Sequence, residues 1–90
     1  KVLFSEINYI EGMRGYVSIF VPGKRLVVYQ KLNSMEAILP DGHFMRVHKS
    51  FIIALEKITA VEGNTAEIGD RRIPIGKSYR QEFFSRLPKA

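Results

Sequence analysis

Four side chains that donate hydrogen bonds at neutral pH follow one another closely near the middle of this sequence: Arg46, His48, Lys49 and Ser50. Phe44 and Val47 lie on the amino-terminal side, and Phe51 begins an apolar run, as in a buried strand and its continuation. Donors held between such anchors are presented rigidly, which suits an anionic partner. A solvated turn is the simpler interpretation, and these residues alone favour it, because charged side chains are mostly exposed.

Basic and hydrogen-bonding side chains also gather near the end of the chain: Arg71, Arg72, Lys77, Ser78, Tyr79, Arg80 and Gln81. Free N–H groups at the beginning of a helix attract phosphate, so Ser78 or the backbone at 76–77 could hold one. Equally, Ser78 could cap its own helix while Arg80 points to water. A third group occupies an early loop: Met13, Arg14 and Tyr16.

No arrangement of residues in the sequence predicts catalysis, a metal or a cofactor. His43 and His48 lie five positions apart, and no third ligand is nearby in sequence. His48 and Ser50 could suggest a base and a nucleophile, but no neighbouring carboxylate would orient the histidine. A glycine-rich phosphate loop after a strand is also missing. The sequence therefore favours a binding protein over an enzyme.

Length and composition narrow the class of protein. Ninety residues make one small domain, and no apolar run approaches the ~20 residues of a membrane helix. The absence of cysteine excludes disulfides and thiolate zinc sites and fits a reducing compartment. A net charge of +5 points to nucleic acid, an anionic membrane surface or an acidic protein. Because the chain begins with Lys1 and has no signal peptide, we expect a piece of a longer protein.

Periodicity predicts many short strands and two short helices. A helix is expected over 33–39, with Asn33 as its N-cap and Glu36 completing a capping box. A second helix is expected over 78–87, capped by Ser78. We expect the strand at 25–30 to be buried on both faces. Other strands are predicted at 2–4, 8–11, 16–21, 57–62, 65–68 and 71–75, the last at a sheet edge because it contains Pro74.

Three motifs, in order, resemble those of the LytTR-type DNA-binding domain of bacterial response regulators. The first is Tyr9–Gly12 followed by a strand that begins at Tyr16. The central one is Phe44–Ile53, read as Phe-Met-Arg-Val-His-Lys-Ser-Phe-Ile-Ile. The closing one is Ile73–Arg80, followed by Phe83 and Leu87. Together they cover nearly the whole chain, from about Phe4 to Leu87.

The resemblance implies a mainly β fold, an elongated stack of small antiparallel sheets with one or two short helices. It implies a single LytTR-like domain over 1–90, the carboxyl-terminal part of a response regulator, without the family's usual first strand. Such domains read double-stranded DNA with loops in successive major grooves, as dimers on direct repeats. The full-length protein would carry an N-terminal receiver domain, phosphorylated by a sensor histidine kinase, and would regulate transcription in the bacterial cytoplasm through a two-component phosphorelay.

Carried over motif by motif, the resemblance also implies residue roles. Lys49 and Ser78 match base-reading positions, and the first loop supplies a third reader near Arg14 to Val17, for which Arg14 and Tyr16 are the candidates. Phosphate contacts are expected from seven residues: Arg46, His48, Ser50, Lys77, Tyr79, Arg80 and Gln81. One departure is Ala54, which stands where the family often has asparagine, so a local cap or turn hydrogen bond is expected to be missing.

Two other kinds of binding module remain as alternatives. A small β domain could bind an acidic protein by pairing with its exposed edge strand. An RNA-binding β domain would need exposed aromatic rings for stacking. Here Tyr16, Tyr29 and Phe51 are predicted to be buried by their pattern, which leaves Tyr79 as the one exposed ring.

Overall fold

The computed structural model describes residues 2–87, which form two antiparallel sheets and two short helices. The helices are α1 (Leu32–Ile38) and α2 (Arg80–Arg86). Three 3-10 turns lie at Phe4–Glu6, Leu55–Lys57 and Lys77–Tyr79. The strands are β1 (Tyr9–Gly12), β2 (Val17–Val21), β3 (Lys24–Val28), β4 (Phe44–His48), β5 (Phe51–Ala54), β6 (Ala60–Glu62), β7 (Thr65–Ile68) and β8 (Arg71–Pro74).

The larger sheet forms the middle layer of the domain. Its strand order is β3-β2-β1-β5-β4, and the smaller sheet has the order β6-β7-β8. Neighbouring residues of β5 enter different cores: Ile52 packs in the cluster that contains Leu32 and Met35 of α1, whereas Ile53 packs with Ile73 of β8. This follows from the period of two in a strand. The mainly β fold with stacked antiparallel sheets is therefore confirmed.

Two predictions about the strands are wrong. Strand β3 is an edge strand and is not buried on both faces, because no element formed by residues 2–87 covers its outer side: Val27 is 41% exposed, and Lys24 and Arg25 are exposed. The predicted strand at 2–4 is also wrong. The chain there enters the 3-10 turn Phe4–Glu6, which the Glu6 carboxylate stabilises by accepting a hydrogen bond from the Leu3 N–H at 3.2 Å.

Both predicted helix caps are also wrong. Helix α1 begins at Leu32 after Lys31, so Asn33 lies inside the helix instead of at its cap. Helix α2 begins at Arg80, and Ser78 lies in the preceding 3-10 turn, where its side chain makes no capping hydrogen bond. The edge position predicted from Pro74 is confirmed, because β8 is an outer strand of the smaller sheet. Within residues 2–87, no helix is both long and apolar enough to cross a membrane.

Candidate nucleic-acid interface

Antiparallel pairing brings two of the predicted contact segments to the same end of the larger sheet. Gly12 at the end of β1 pairs with Val17 at the beginning of β2, so the loop 13–16 lies at that end. Phe51 pairs with both Glu11 of β1 and His48 of β4, so the turn 49–50 lies there too. The Gly12 N–H donates a hydrogen bond to the Ser50 carbonyl oxygen at 2.8 Å. The two segments are therefore direct neighbours.

The third segment, residues 75–79 between β8 and α2, joins the same group. The Gly76 N–H donates to the Val47 carbonyl oxygen at 2.7 Å. A Cβ atom at Gly76 would lie 3.5 Å from the His48 Cα and 3.0 Å from the Tyr79 ring, so the backbones approach closely. Loop 13–16, turn 49–50 and segment 75–79 thus form a continuous line at one end of the sheets, which we name the contact row.

Arg46 holds the middle of the contact row. Its Nε donates to the His48 carbonyl oxygen at 2.8 Å, and its Nη2 donates to the Lys49 carbonyl oxygen at 2.5 Å. Its Nη1 donates to Asn33 Oδ1 at 2.9 Å and pairs with Glu36 Oε1 at 3.0 Å, both on α1. The side chain is only 14% exposed. The guanidinium group therefore joins helix α1 to the turn that carries Lys49.

His48 is oriented by its own turn. Its Nδ1 accepts a hydrogen bond from the Ser50 N–H at 3.0 Å, and its ring packs edge-on against Phe51 with centroids 5.7 Å apart. A neutral imidazole whose Nδ1 accepts carries its proton on Nε2. The remaining ring nitrogen is therefore a hydrogen-bond donor, which is what a phosphate oxygen requires.

The other residues expected to contact DNA lie along the contact row with different exposure. Arg80 is half-buried, and its Nε donates to the Ile75 carbonyl oxygen at 3.2 Å, which fixes the guanidinium group beside segment 75–79. Tyr16 and Tyr79 are half-buried, and Tyr79 packs against the core between the sheets. The exposed ones are Arg14, Lys49, Lys77, Ser78 and Gln81.

Arg71 and Arg72 do not belong to this group. Arg71 lies over the rings of Tyr9 and Phe51, 5.6 and 5.3 Å from their centroids. Arg72 pairs with Glu67 in the smaller sheet at 2.6 Å. The two arginines were expected at the site because they are close in sequence to the closing motif. In the structure, each instead contacts side chains of other strands.

Acidic side chains next to the contact row are paired with arginines. Glu36 lies 3.0 Å from Arg46, and Glu82 lies 3.7 Å from Arg86. Glu11, next to the first loop, lies 3.7 Å from Arg71. The charges left along the row are therefore positive, as an anionic partner requires.

The second histidine lies elsewhere. His43 lies in the turn before β4, at the opposite end of that strand from His48, and its Nδ1 is 2.8 Å from Glu56 Oε2. Among residues 2–87, no three or more histidine, cysteine, aspartate or glutamate side chains gather as they would around a metal ion.

Comparison with known proteins identifies the family of the chain. The model of the LytTR DNA-binding domain family matches residues 1–88. Among solved structures, the LytTR domain of a protein described as a methyl-accepting/DNA response regulator from Bacillus cereus superposes with a TM-score of 0.85 at 26% identity. That match covers 98% of this chain and 86% of the other.

Two curated relatives are named sensory transduction protein LytT. The one from Enterococcus faecalis is 32% identical over 77 residues, covering 79% of this chain and 32% of the relative. The one from Bacillus anthracis is 27% identical over 88 residues, covering 91% and 36%. The chain thus spans about a third of the length of these relatives. From the family model and the shared fold, the chain belongs to the LytTR family of DNA-binding domains.

Proposed function

We propose that this DNA-binding domain reads double-stranded DNA in the major groove with the loops of the contact row, as part of a transcription regulator. The observation that carries the proposal is the pair of backbone hydrogen bonds from Gly12 to Ser50 and from Gly76 to Val47. They join three separate segments into one surface. A protein that reads DNA without a recognition helix needs such a fixed row, because each loop alone contributes few contacts.

Lys49 and Ser78 are the proposed base readers, together with Arg14 or Tyr16 from the first loop. Lys49 is exposed at the tip of a turn whose carbonyl groups are held by Arg46, so its backbone position is fixed. A lysine ammonium group can donate to O6 or N7 of guanine. The Ser78 hydroxyl both donates and accepts, so we expect a weaker base preference there.

The remaining polar residues in the contact row or directly next to it in sequence are proposed to bind phosphate: His48, Ser50, Lys77, Tyr79, Arg80 and Gln81. Lys77 and Arg80 are the cations of this set, and if each neutralises one phosphate, these two contacts should lower the affinity by about tenfold between roughly 50 and 200 mM salt. We assign Arg46 a different role from the phosphate contact expected of it. Its donors already reach two turn carbonyls and two side chains of α1. Arg46 therefore positions Lys49.

For the full-length protein we propose an N-terminal receiver domain, an upstream sensor histidine kinase, a cytoplasmic location and a dimer on direct repeats. The support is the family, together with the relatives, which are about three times as long and are named sensory transduction proteins. A dimer on direct repeats would place two copies of the contact row on the same side of the DNA when the repeats lie one helical turn apart.

A fluorescence-anisotropy titration of this domain against a pool of random duplex DNA at two salt concentrations tests the proposal. We expect salt-sensitive binding that single-stranded RNA does not displace, and sequencing of the bound fraction should yield a repeated motif. A covalently tethered dimer serves as the second protein in the assay. If even the tethered dimer does not bind at low salt, the proposal fails, and pairing of an acidic protein with the exposed edge of β3 becomes the better account.

A further inference from the structure

We propose that Tyr29–Lys31, the connection between β3 and α1, is a fourth DNA-contacting segment that binds the sugar–phosphate backbone at one end of the contact row. The inference rests on the proposed function and extends it to residues outside the three motifs. Tyr29 was predicted to be buried, so the sequence pattern gave no indication of such a role.

The strand register brings this segment to the contact row. Val28 at the end of β3 pairs with Val17 at the beginning of β2, so Tyr29 lies beside the first loop. The rings of Tyr29 and Tyr16 pack edge to face, with centroids 6.1 Å apart and an interplanar angle of 61°. The row thus continues outward from loop 13–16 to the edge of the larger sheet.

Among the large hydrophobic side chains of residues 2–87, that of Tyr29 is the most exposed, at 83%. The edge-to-face contact with Tyr16 favours this orientation of the ring by about 0.5–1.5 kcal/mol. A tyrosine presents an apolar body and a polar tip, and this combination suits a deoxyribose next to a phosphate. The ring is therefore placed and oriented for a backbone contact.

Lys31 supplies the positive charge of the segment. It is exposed, and its carbonyl oxygen accepts hydrogen bonds from the N–H groups of Ser34 and Met35 at 3.0 and 3.2 Å. The next residue, Leu32, is buried directly against Gly12, where a Cβ would come within 3.1 Å of its side chain. The Lys31 backbone is thus fixed beside the first loop, and only its side chain is left to reach a phosphate.

Sheet geometry decides between a base contact and a backbone contact. Tyr29 leaves the edge strand β3, which is separated from β5 by β2 and β1. At ~4.8 Å per strand, it lies about 17 Å from the turn that carries Lys49. The major groove is only about 12 Å wide. For a contact row that crosses the groove with Lys49 inside it, Tyr29 and Lys31 fall outside the groove wall and face phosphates, so we expect no sequence preference from them.

The experiment compares Lys31→Ala with Lys24→Ala, Tyr29→Ala and Tyr29→Phe on a duplex selected by the wild-type domain. Lys24 is the matched control, because it is an exposed lysine at the beginning of β3, and the segment Tyr29–Lys31 follows the other end of that strand. Lys31→Ala should lower the salt slope of binding by about one unit and leave the sequence preference intact. Tyr29→Ala should remove hydroxyl-radical protection at one end of the footprint only, and Tyr29→Phe should retain most of it.

The inference is overturned if Lys31→Ala binds with the same slope as Lys24→Ala and Tyr29→Ala leaves the full footprint. In that case the wild-type domain still binds, so the proposed function stands without its fourth segment. If the wild-type domain and its tethered dimer do not bind duplex DNA, the proposed function is wrong, and the inference about Tyr29–Lys31, which depends on it, is wrong too. Circular dichroism of each variant shows whether the fold has been kept.

Discussion

Arg46 and Lys49 are joined by a hydrogen bond from Nη2 of the arginine to the main-chain carbonyl oxygen of the lysine at 2.5 Å. The same guanidinium group reaches the His48 carbonyl and two side chains of α1. The residue proposed to read bases is therefore held in place by a side chain three positions earlier. The proposal therefore distinguishes residues that would contact DNA from residues that would hold a contact residue in position.

Replacement of Arg46 should change which sequences bind more than how strongly binding depends on salt. Arg46→Lys keeps the charge but cannot reach four acceptors, so the turn carbonyls lose partners at a cost of ~1–3 kcal/mol in the free energy of unfolding. We expect a relaxed preference at the base read by Lys49 and an unchanged salt slope. Asn33→Ala, which leaves both turn carbonyls bonded, is the control and should change less. A slope reduced by about one unit, with an intact preference, would identify Arg46 as a phosphate contact.

Lys49→Ala should relax specificity at one position of the binding site. A good base contact contributes ~1–3 kcal/mol of discrimination, so binding to the preferred sequence should weaken while binding to others changes little. Selection of random duplexes by the variant and by the wild-type domain, followed by sequencing, measures this. Uniform weakening on every sequence would make Lys49 a phosphate contact only.

Arg80→Ala should reduce the salt slope by about one unit, as expected for the loss of a single phosphate contact. Arg25, exposed on β3 and away from the contact row, supplies the matched control Arg25→Ala, whose slope should equal that of the wild-type domain. Titrations at four or more salt concentrations give both slopes. Equal slopes for the two variants would remove Arg80 from the footprint.

Gly76→Ala should impair DNA binding more than it impairs folding. The backbone of Gly76 has φ −61° and ψ 149°, which any residue adopts, so the obstacle is the Tyr79 ring, 3.0 Å from a Cβ. The ring must move by a few tenths of an ångström, and segment 75–79 moves with it. We expect lower affinity with ~1–2 kcal/mol lost in urea unfolding. The double variant Gly76→Ala, Tyr79→Leu removes the obstructing ring and should recover the stability; failure to recover it would place the strain elsewhere.

The sequence predicted most of what is local in this fold. The strands predicted at 8–11, 16–21 and 65–68 are present as β1, β2 and β7, with ends that differ by no more than one residue. Pro74 correctly indicated an edge, because a proline cannot donate to a ladder. The order of the three motifs was sufficient to indicate the family.

Contacts between distant parts of the chain were not predictable in the same way. Asn33 and Glu36 have the spacing of a capping box, yet both side chains bind Arg46, which is ten or more positions away. A local pattern cannot distinguish a cap from a partner supplied by another strand. Tyr29 was predicted to be buried but is exposed, because alternation indicates a strand and does not show whether another layer of the protein covers it.

Strong alkali should destabilise the domain through one buried tyrosine. Burial raises the pKa of Tyr9 above its ordinary value of 10.0, although the nearby Arg71 guanidinium opposes the shift. A raised pKa in the folded state means that this contribution to stability is complete below pH 10.0 and is lost as the pH rises through the folded-state pKa. Tyr9→Phe keeps the ring stacked 4.4 Å from Phe20 and removes the titration. We therefore expect the free energy of unfolding in urea to fall less steeply above pH 10.0 in Tyr9→Phe than in the wild-type domain. Parallel curves for Tyr9→Phe and the wild-type domain would show that Tyr9 does not titrate differently on folding.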